Sequence, residues 1–359
     1  MRRHRWIALA AVLLAATALL LSLGEEAPPP AARRQVEYPR WFDGPDHRRQ
    51  QARATLALPR PAGGRPPAAG PEEPGEPEGL RDPFLVSLPV KEGGMVMVFE
   101  ANALRHSRLG ERFIACLEAR RPGDLAELER EFGVDPLKDL DRVAFLDDAV
   151  VLSGHFQHLK WDRLASARHS TYGRDGRVYR DGAEWIAAWR DQLIVVSSSE
   201  EGVHRAIDQL EGRAPIPPSG IDENSTYGEV YGVIPGAAAR RLLGGDERGI
   251  GSKLASLASR IELHVDAMQD VAAVVRVQGT DAGGLEDLAK TIGGALAVAR
   301  VKAQAEGDRE FADLLEHAQV EHGGASFDLQ LAIPADRLER WFADCERPRP
   351  PPSEAPADP

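Results

Sequence analysis

Residues Trp6 to Leu21 form an apolar run interrupted only by Thr17 and extended by Ser22 and Leu23, directly behind Arg2, Arg3 and Arg5. A helix of about 18 residues rises roughly 27 Å, close to a bilayer's hydrocarbon core. A basic start with such a run reads as an export signal. Its length exceeds the usual signal core, so residues 1–24 read as an uncleaved signal-anchor. The alternative is secretion after cleavage near Gly24, at Ser22-Leu23-Gly24. The arginines would stay on the cytoplasmic side, placing the body in the periplasm or extracytoplasmic space.

The periodic pattern disappears between residues 25 and 81. Pro28-Pro29-Pro30, Pro61 to Pro67 and Pro71-Glu72-Glu73-Pro74 mark a disordered linker with an extended polyproline bias. One apolar island interrupts it, where Tyr38, Trp41 and Phe42 fall within five residues. The island reads either as a docking motif for a protein partner or as a segment packing against the body or the membrane interface. A short helix over 46–58 follows it.

From residue 82 onward, strand-like alternation and helical periodicity interleave. The first half, 82–213, opens with the strand Met95 to Glu100 and a helical stretch, Ala103 to Arg120. A helix capped by Asp124, Leu125 to Phe132, comes next. A strand pair, Arg142 to Leu146 and Ala149 to Gly154, leads to a helix near Lys160 to Ala167. Strands near 176–179, 184–189 and 192–197 and a helix, Glu200 to Leu210, complete this half.

Pro215-Ile216-Pro217-Pro218-Ser219-Gly220 marks an internal boundary. The second half, 221–346, repeats the order. A strand, Tyr227 to Ile234, precedes helices at 236–243 and 250–258. A strand pair, Arg260 to Asp266 and Val271 to Gln278, precedes a long helix, Leu285 to Ala305. Leu285, Leu288, Ile292, Leu296 and Ala299 line one face of that helix. A shorter helix, a hairpin around Gly323-Gly324 and a last helix, Ala335 to Cys345, close the fold. Residues 347–359 form a Pro-rich tail, expected to be disordered. Hairpin-linked strands separated by helices imply an α+β fold of two similar halves, each with antiparallel strands backed by helices.

The phrase Gly133-Val134-Asp135-Pro136-Leu137-Lys138-Asp139-Leu140-Asp141, placed before a strand pair, resembles one found in a loose group of exported bacterial proteins built from duplicated α+β halves. The resemblance covers the body from about Pro83 to Cys345. It implies a fold and an envelope location, and no activity.

A formal net charge of −12 argues against a nucleic-acid partner, which would need a basic face. The two cysteines, Cys116 and Cys345, could form a disulfide in an exported chain, but spacing does not bring them together, and buried free thiols are the simpler expectation.

Chemical motifs are weak throughout. His155 and His158 with Asp147 and Asp148 lack a fixed third ligand and the helical setting that suits a zinc pair. Gly244 to Lys253 is glycine-rich, but Lys253 follows Ser252, the reverse of the order a phosphate loop needs, and Asp246 and Glu247 would repel phosphate. Ser153-Gly154 lacks a nucleophile-elbow frame. Ser197-Ser198-Ser199 before Glu200 reads as a helix cap. Trp161, Trp185, Trp189 and Trp341 read as core or interface anchors.

No catalytic, cofactor-binding or metal site is therefore expected. The leading expectation is a non-enzymatic envelope protein, held by its N-terminal helix, with an interaction or structural role. The alternatives are a carrier or sensor holding a hydrophobic ligand between the halves, and a hydrolase with an unrecognised site.

Overall fold

A computed structural model describes residues 82–121, 123–161, 169–216, 221, 226–243, 250–268 and 270–345. The expected membrane helix, the linker with Tyr38, Trp41 and Phe42, and the C-terminal tail lie outside these residues. So do most of the helix expected near Lys160 to Ala167 and the loop 244–249.

The body is mixed α and antiparallel β. In chain order it comprises α1 (Pro83–Val86), β1 (Val96–Phe99), α2 (Ala101–Arg105), α3 (Arg108–Arg120), α4 (Asp124–Phe132), β2 (Leu140–Leu146) and β3 (Ala149–Gly154). Then come β4 (Ser170–Tyr172), β5 (Gly176–Asp181), β6 (Glu184–Trp189), β7 (Leu193–Ser197) and α5 (Glu200–Leu210). The remainder is β8 (Val230–Pro235), α6 (Gly236–Leu243), α7 (Ile250–Leu257), β9 (Ala258–Asp266), β10 (Val271–Gly279), α8 (Ala282–Glu306), α9 (Arg309–Glu316), β11 (Ala318–Gly323), β12 (Ser326–Ile333) and α10 (Ala335–Cys345).

All twelve strands join one sheet in the order β11-β12-β10-β9-β8-β1-β2-β3-β7-β6-β5-β4. The junction is the antiparallel pair β1–β8, with Val96 opposite Val233 and Phe99 opposite Val230. The two expected halves are thus arms of a continuous sheet, joined by backbone hydrogen bonds.

Strand alternation assigns the faces. Val96, Val98, Ala144, Val151, Val195, Ala187 and Val178 share one face and pack with Phe84 of α1 and Val203, Ala206 and Ile207 of α5. In the other arm, Ile261, Val277 and Phe327 point to the opposite face, where Ala239, Leu285, Leu288 and Ala289 cover them. Burying a Leu or Val side chain contributes about 1.5–3 kcal/mol, so these two layers dominate the stability of the arms.

The helical stretch expected from Ala103 to Arg120 breaks at His106-Ser107. Ser107 Oγ accepts from Gly110 N at 3.0 Å and so caps α3. A Cβ on Gly110 would lie 1.7 Å from Leu104 O, so this corner requires glycine. The cap expected at Asp124 sits one residue earlier, on Gly123 at φ 92°, and Asp124 becomes the first helical residue. The short edge strand β4 was not legible in the sequence, because Ser170-Thr171-Tyr172 carries no apolar alternation.

The cysteine expectation is corrected. Cys116, on α3, is disulfide-bonded, and no described cysteine is free. The chain's other cysteine is Cys345, at the end of α10. Helix α10 packs on α3 through Leu338 and Phe342, beside Leu109, Phe113, Val271 and Ile333. Cys116 therefore lies bonded at the contact between the first arm's α3 and the second arm's last helix, two elements whose proximity depends on tertiary packing and not on spacing.

Candidate functional site

The phrase Gly133 to Asp141 folds into a locked turn between α4 and β2. Asp135 accepts from Leu137 N at 2.9 Å, and Asp139 Oδ2 accepts from Asp135 N at 2.8 Å. Lys138 reaches Asp135 at 2.6 Å, and Arg105 donates to the carbonyls of Leu137 and Leu140. Burial would raise the Asp135 carboxyl pKa, but its hydrogen bonds with Lys138 and the Leu137 backbone bring it below the ordinary value. The charges of the motif are spent on its own backbone, which fixes where β2 starts.

At that start, β2, β3 and the β6–β7 turn enclose a small cavity of about 50 Å³, lined by Phe84, Asp141, Ser153, His155, Asp191 and Gln192 among others. Arg190 and Asp191 both have positive φ, 51° and 52°, inside the three-residue connection between Trp189 and Leu193, where Gln192 N donates to Trp189 O at 3.1 Å. Such a conformation costs non-glycine residues free energy. Here Arg190 pairs with Asp175 at 2.7 Å, and Arg177 pairs with Asp191. Ser153 Oγ is buried and meets no hydrogen-bonding partner among the described residues. His155 Nδ1 lies 3.9 Å from Asp141 Oδ2, too far for a hydrogen bond. Ser153, His155 and Asp141 therefore share a cavity wall without forming a proton relay.

Beneath the cavity lies the buried pair Arg142–Asp82. Arg142 Nη2 donates to Asp82 Oδ1 at 3.0 Å, and the guanidinium sits 4.2 Å from the Phe84 ring centroid. Burial opposes the charge on Arg142, but Asp82 overrides it and raises the guanidinium above its ordinary value. The pair clamps α1 onto the sheet.

A second polar group occupies the other arm, on the sheet face away from α6–α8. Arg276 forks onto both oxygens of Asp328, at 2.8 and 2.9 Å. Arg260 pairs with Glu262 at 2.5 Å. The rings of His264 and Tyr227 stack 3.9 Å apart, and His264 Nδ1 lies 3.2 Å from Tyr227 O. Burial pulls the His264 pKa down to about 4, with a smaller contribution from Arg276. Burial likewise pushes the Tyr227 phenol far above its ordinary value. These side chains hold neighbouring strands in register.

The residues weighed from sequence scatter. Asp147 accepts from Met95 N at 3.2 Å, and Asp148 pairs with Lys91 at 2.6 Å. Both sit at the β2–β3 turn, whereas His155 and His158 follow the far end of β3. Among the described residues no group of three or more His, Cys, Asp or Glu could hold a metal ion. Ser199 Oγ caps α5 by accepting from Gly202 N. Trp189 is buried in the core, Trp161 stacks on Tyr179 at 4.6 Å, and Arg180 lies over Trp185. The Trp341 side chain lies outside what is described.

No protein family model and no curated protein matches the chain. Solved structures of TP0453 are similar to it. Crystal form I has 14% identity and a TM-score of 0.41 over 74% of this chain and 98% of that one. Crystal form III has 12% identity and a TM-score of 0.45, covering 72% and 97%. Crystal form IV has 11% identity and a TM-score of 0.43, covering 73% and 96%.

Proposed function

We propose that this chain is an exported envelope protein, tethered to the membrane by its N-terminal helix, whose body serves as a non-enzymatic interaction scaffold. The observation that carries the reading is the disulfide at Cys116. Disulfides persist in oxidising compartments outside the cytoplasm and are rare inside it. This agrees with the arginine-flanked run from Trp6 to Leu23.

The scaffold role is supported by how the body spends its polar groups. Arg142–Asp82, Arg276–Asp328 and Arg260–Glu262 each join one structural element to another or stiffen a strand. The cavity of about 50 Å³ beside Ser153 is far below the roughly 300–1,000 Å³ of ordinary ligand pockets.

We also read the two arms as products of an internal duplication. From the central pair outward, one arm runs β1-β2-β3-β7-β6 and the other β8-β9-β10-β12-β11. Each is first, second, third, last, next-to-last in its own chain order. Val98-Phe99-Glu100-Ala101-Asn102-Ala103-Leu104-Arg105 also stands where Val233-Ile234-Pro235-Gly236-Ala237-Ala238-Ala239-Arg240 stands in the second arm. The β4–β5 pair is the first arm's addition.

Reporter fusions test the topology. A reporter active only outside the cytoplasm, joined after Arg81, is expected to be active in intact cells and to fractionate with membranes. An inactive fusion overturns export. Recovery of a mature chain starting at Glu25 keeps export and removes the anchor.

A further inference from the structure

Among the described residues the sheet ends on β11 at one side and β4 at the other. An outer strand leaves a row of backbone groups open to another chain, and proteins blunt such rows with shortness, lysine, proline or a bulge. Strand β4 is only 3 residues long. Strand β11 has 6 residues, Ala318–Gly323, without lysine, proline or a register shift. Ala332 N donates to His317 O at 3.2 Å, and in register the alternate residues Gln319, Glu321 and Gly323 bond to β12. The N–H and C=O groups of Ala318, Val320 and His322 therefore point away from the sheet. In the first arm the matching strand, β6, is covered by β5. That match alone rests on the duplication proposed above.

We propose that the segment Arg34-Gln35-Val36-Glu37-Tyr38 of the same chain adds to this edge as a further antiparallel strand. Its alternation of polar and apolar residues suits a strand. With Val36 opposite Val320, Tyr38 faces Ala318 and Arg34 faces His322, and these three pairs fall at the open hydrogen-bonding positions. Val36 and Tyr38 then share the side of Val320, which packs against the layer of Leu285 and Phe327. Pro39 falls opposite His317, whose carbonyl already points to β12, so its missing N–H forfeits no hydrogen bond. On the other side Gln35 faces Glu321, and Arg33 stands diagonal to it. Glu321 accepts from Gln330 Nε2 at 3.2 Å and has no cationic partner among the described residues. Sliding the segment until Tyr38 faces Val320 would instead set Glu37 against Glu321.

The reach of the chain favours this occupant over a second copy. Asp82 is clamped to β2, and the open side of β11 lies across β1, β8, β9, β10, β12 and β11, about 34 Å away. Residues 39–81, as a flexible chain, have an end-to-end distance of about 33–39 Å. A linker whose length matches its span presents the segment at an effective concentration on the order of millimolar, well above a second chain at micromolar protein. The contact covers an edge that otherwise invites another strand. Released, the same residues return to the full length of the linker.

Hydrogen exchange on the full chain in detergent micelles tests the strand. Val36→Pro removes a donor at a paired position, and the amides of Val320 and His322 are expected to exchange at least about tenfold faster in it than in the parent. Amides of the interior strand β9 should exchange alike in both, which reports that the body stays folded. Arg33→Glu and Glu321→Arg should each speed exchange at Val320 about twofold, and the double variant should restore the protection. Equal exchange at Val320 and His322 in the parent and Val36→Pro overturns the proposal. Benzoylphenylalanine in place of Tyr38 should photo-crosslink to residues near Ala318 within one chain. Crosslinks between chains, falling in yield on dilution, would assign the edge to a second copy. Crosslinks to detergent alone would return the segment to the linker. Either result overturns the proposal, and none of these outcomes depends on the topology test.

Discussion

Arg142 and Asp82 lie sixty residues apart in sequence and meet with both side chains almost entirely withdrawn from solvent. Asp82 also accepts from Phe84 N at 3.0 Å, capping the helix whose Phe84 ring lies against the Arg142 guanidinium. One carboxylate therefore neutralises a buried cation and starts the helix that seals it. Removing one partner of such a pair strands a charge in low dielectric. Asp82→Ala is expected to cost about 3–5 kcal/mol in urea unfolding. Asp82→Leu combined with Arg142→Met should be at least about 2 kcal/mol more stable than either single change, because neither charge is left alone. A double variant as unstable as the sum of the singles would show that the two side chains contribute independently, with no coupling between them.

His264 supplies the clearest pH dependence. Its folded pKa of about 4 lies below the ordinary value of 6.5 because the ring is buried under Tyr227. Above pH 6.5 the ring is neutral in both states, and it contributes no slope. As pH falls from 6.5 to 4 the unfolded chain takes up the proton first, so stability declines. The loss saturates near 3 kcal/mol once pH drops below the folded pKa. His264→Gln should flatten that part of the stability–pH curve, measured by denaturant titration at intervals between pH 7 and 4. An unchanged slope in the variant would assign the dependence to other groups.

Why these two residues escaped the sequence reading has a common physical reason. Arg142 occupies a strand position whose neighbours on the same face, Ala144 and Leu146, are apolar, so alternation alone placed a charge in the core without naming its partner. That partner lies before the first strand, at the first residue of the half read as 82–213. His264 likewise sits at an inward position of β9, and Tyr227, expected to open a strand, instead ends the connection before β8 and stacks on the ring. Period identified the strands around both residues. Pairing across the fold depends on contacts between distant segments, and local pattern carries no record of them. The motif Gly133 to Asp141 was visible because its turn is local: Asp135 and Asp139 close hydrogen bonds onto backbone within the same few residues.

The disulfide gives a third expectation. Cys116 lies between Leu109, Phe113, Leu338 and Phe342, so the bridge reinforces an apolar contact between α3 and α10 that already exists. Cys116→Ser is expected to lower stability by about 2–4 kcal/mol, within the usual range for a native bridge. Reductant should lower the unfolding midpoint of the parent to that of Cys116→Ser, and leave the variant unaffected. Equal midpoints for the oxidised parent and the variant would mean that the apolar contact alone secures the two helices.

The last expectation concerns the segment 25–81, whose composition is the most distinctive feature outside the body. Its prolines and scarce apolar clusters are the composition expected of a segment that cannot offset the entropy of ordering. A flexible chain of this length has an end-to-end distance on the order of 40 Å, which proline bias extends. If the scaffold is tethered, reach is then the property that matters, and composition secures it without a defined sequence. Tyr38, Trp41 and Phe42 are the exception, since three aromatics so close together offer a docking element that a spacer does not need. Scrambling 25–81 at constant composition while sparing 38–42 is expected to leave any loss-of-function phenotype of the deleted gene fully complemented. Failure to complement rejects the spacer role. Scrambling 38–42 as well separates the two readings of the island. Continued complementation makes it part of the spacer, whereas loss at that second step alone assigns the aromatics to a partner.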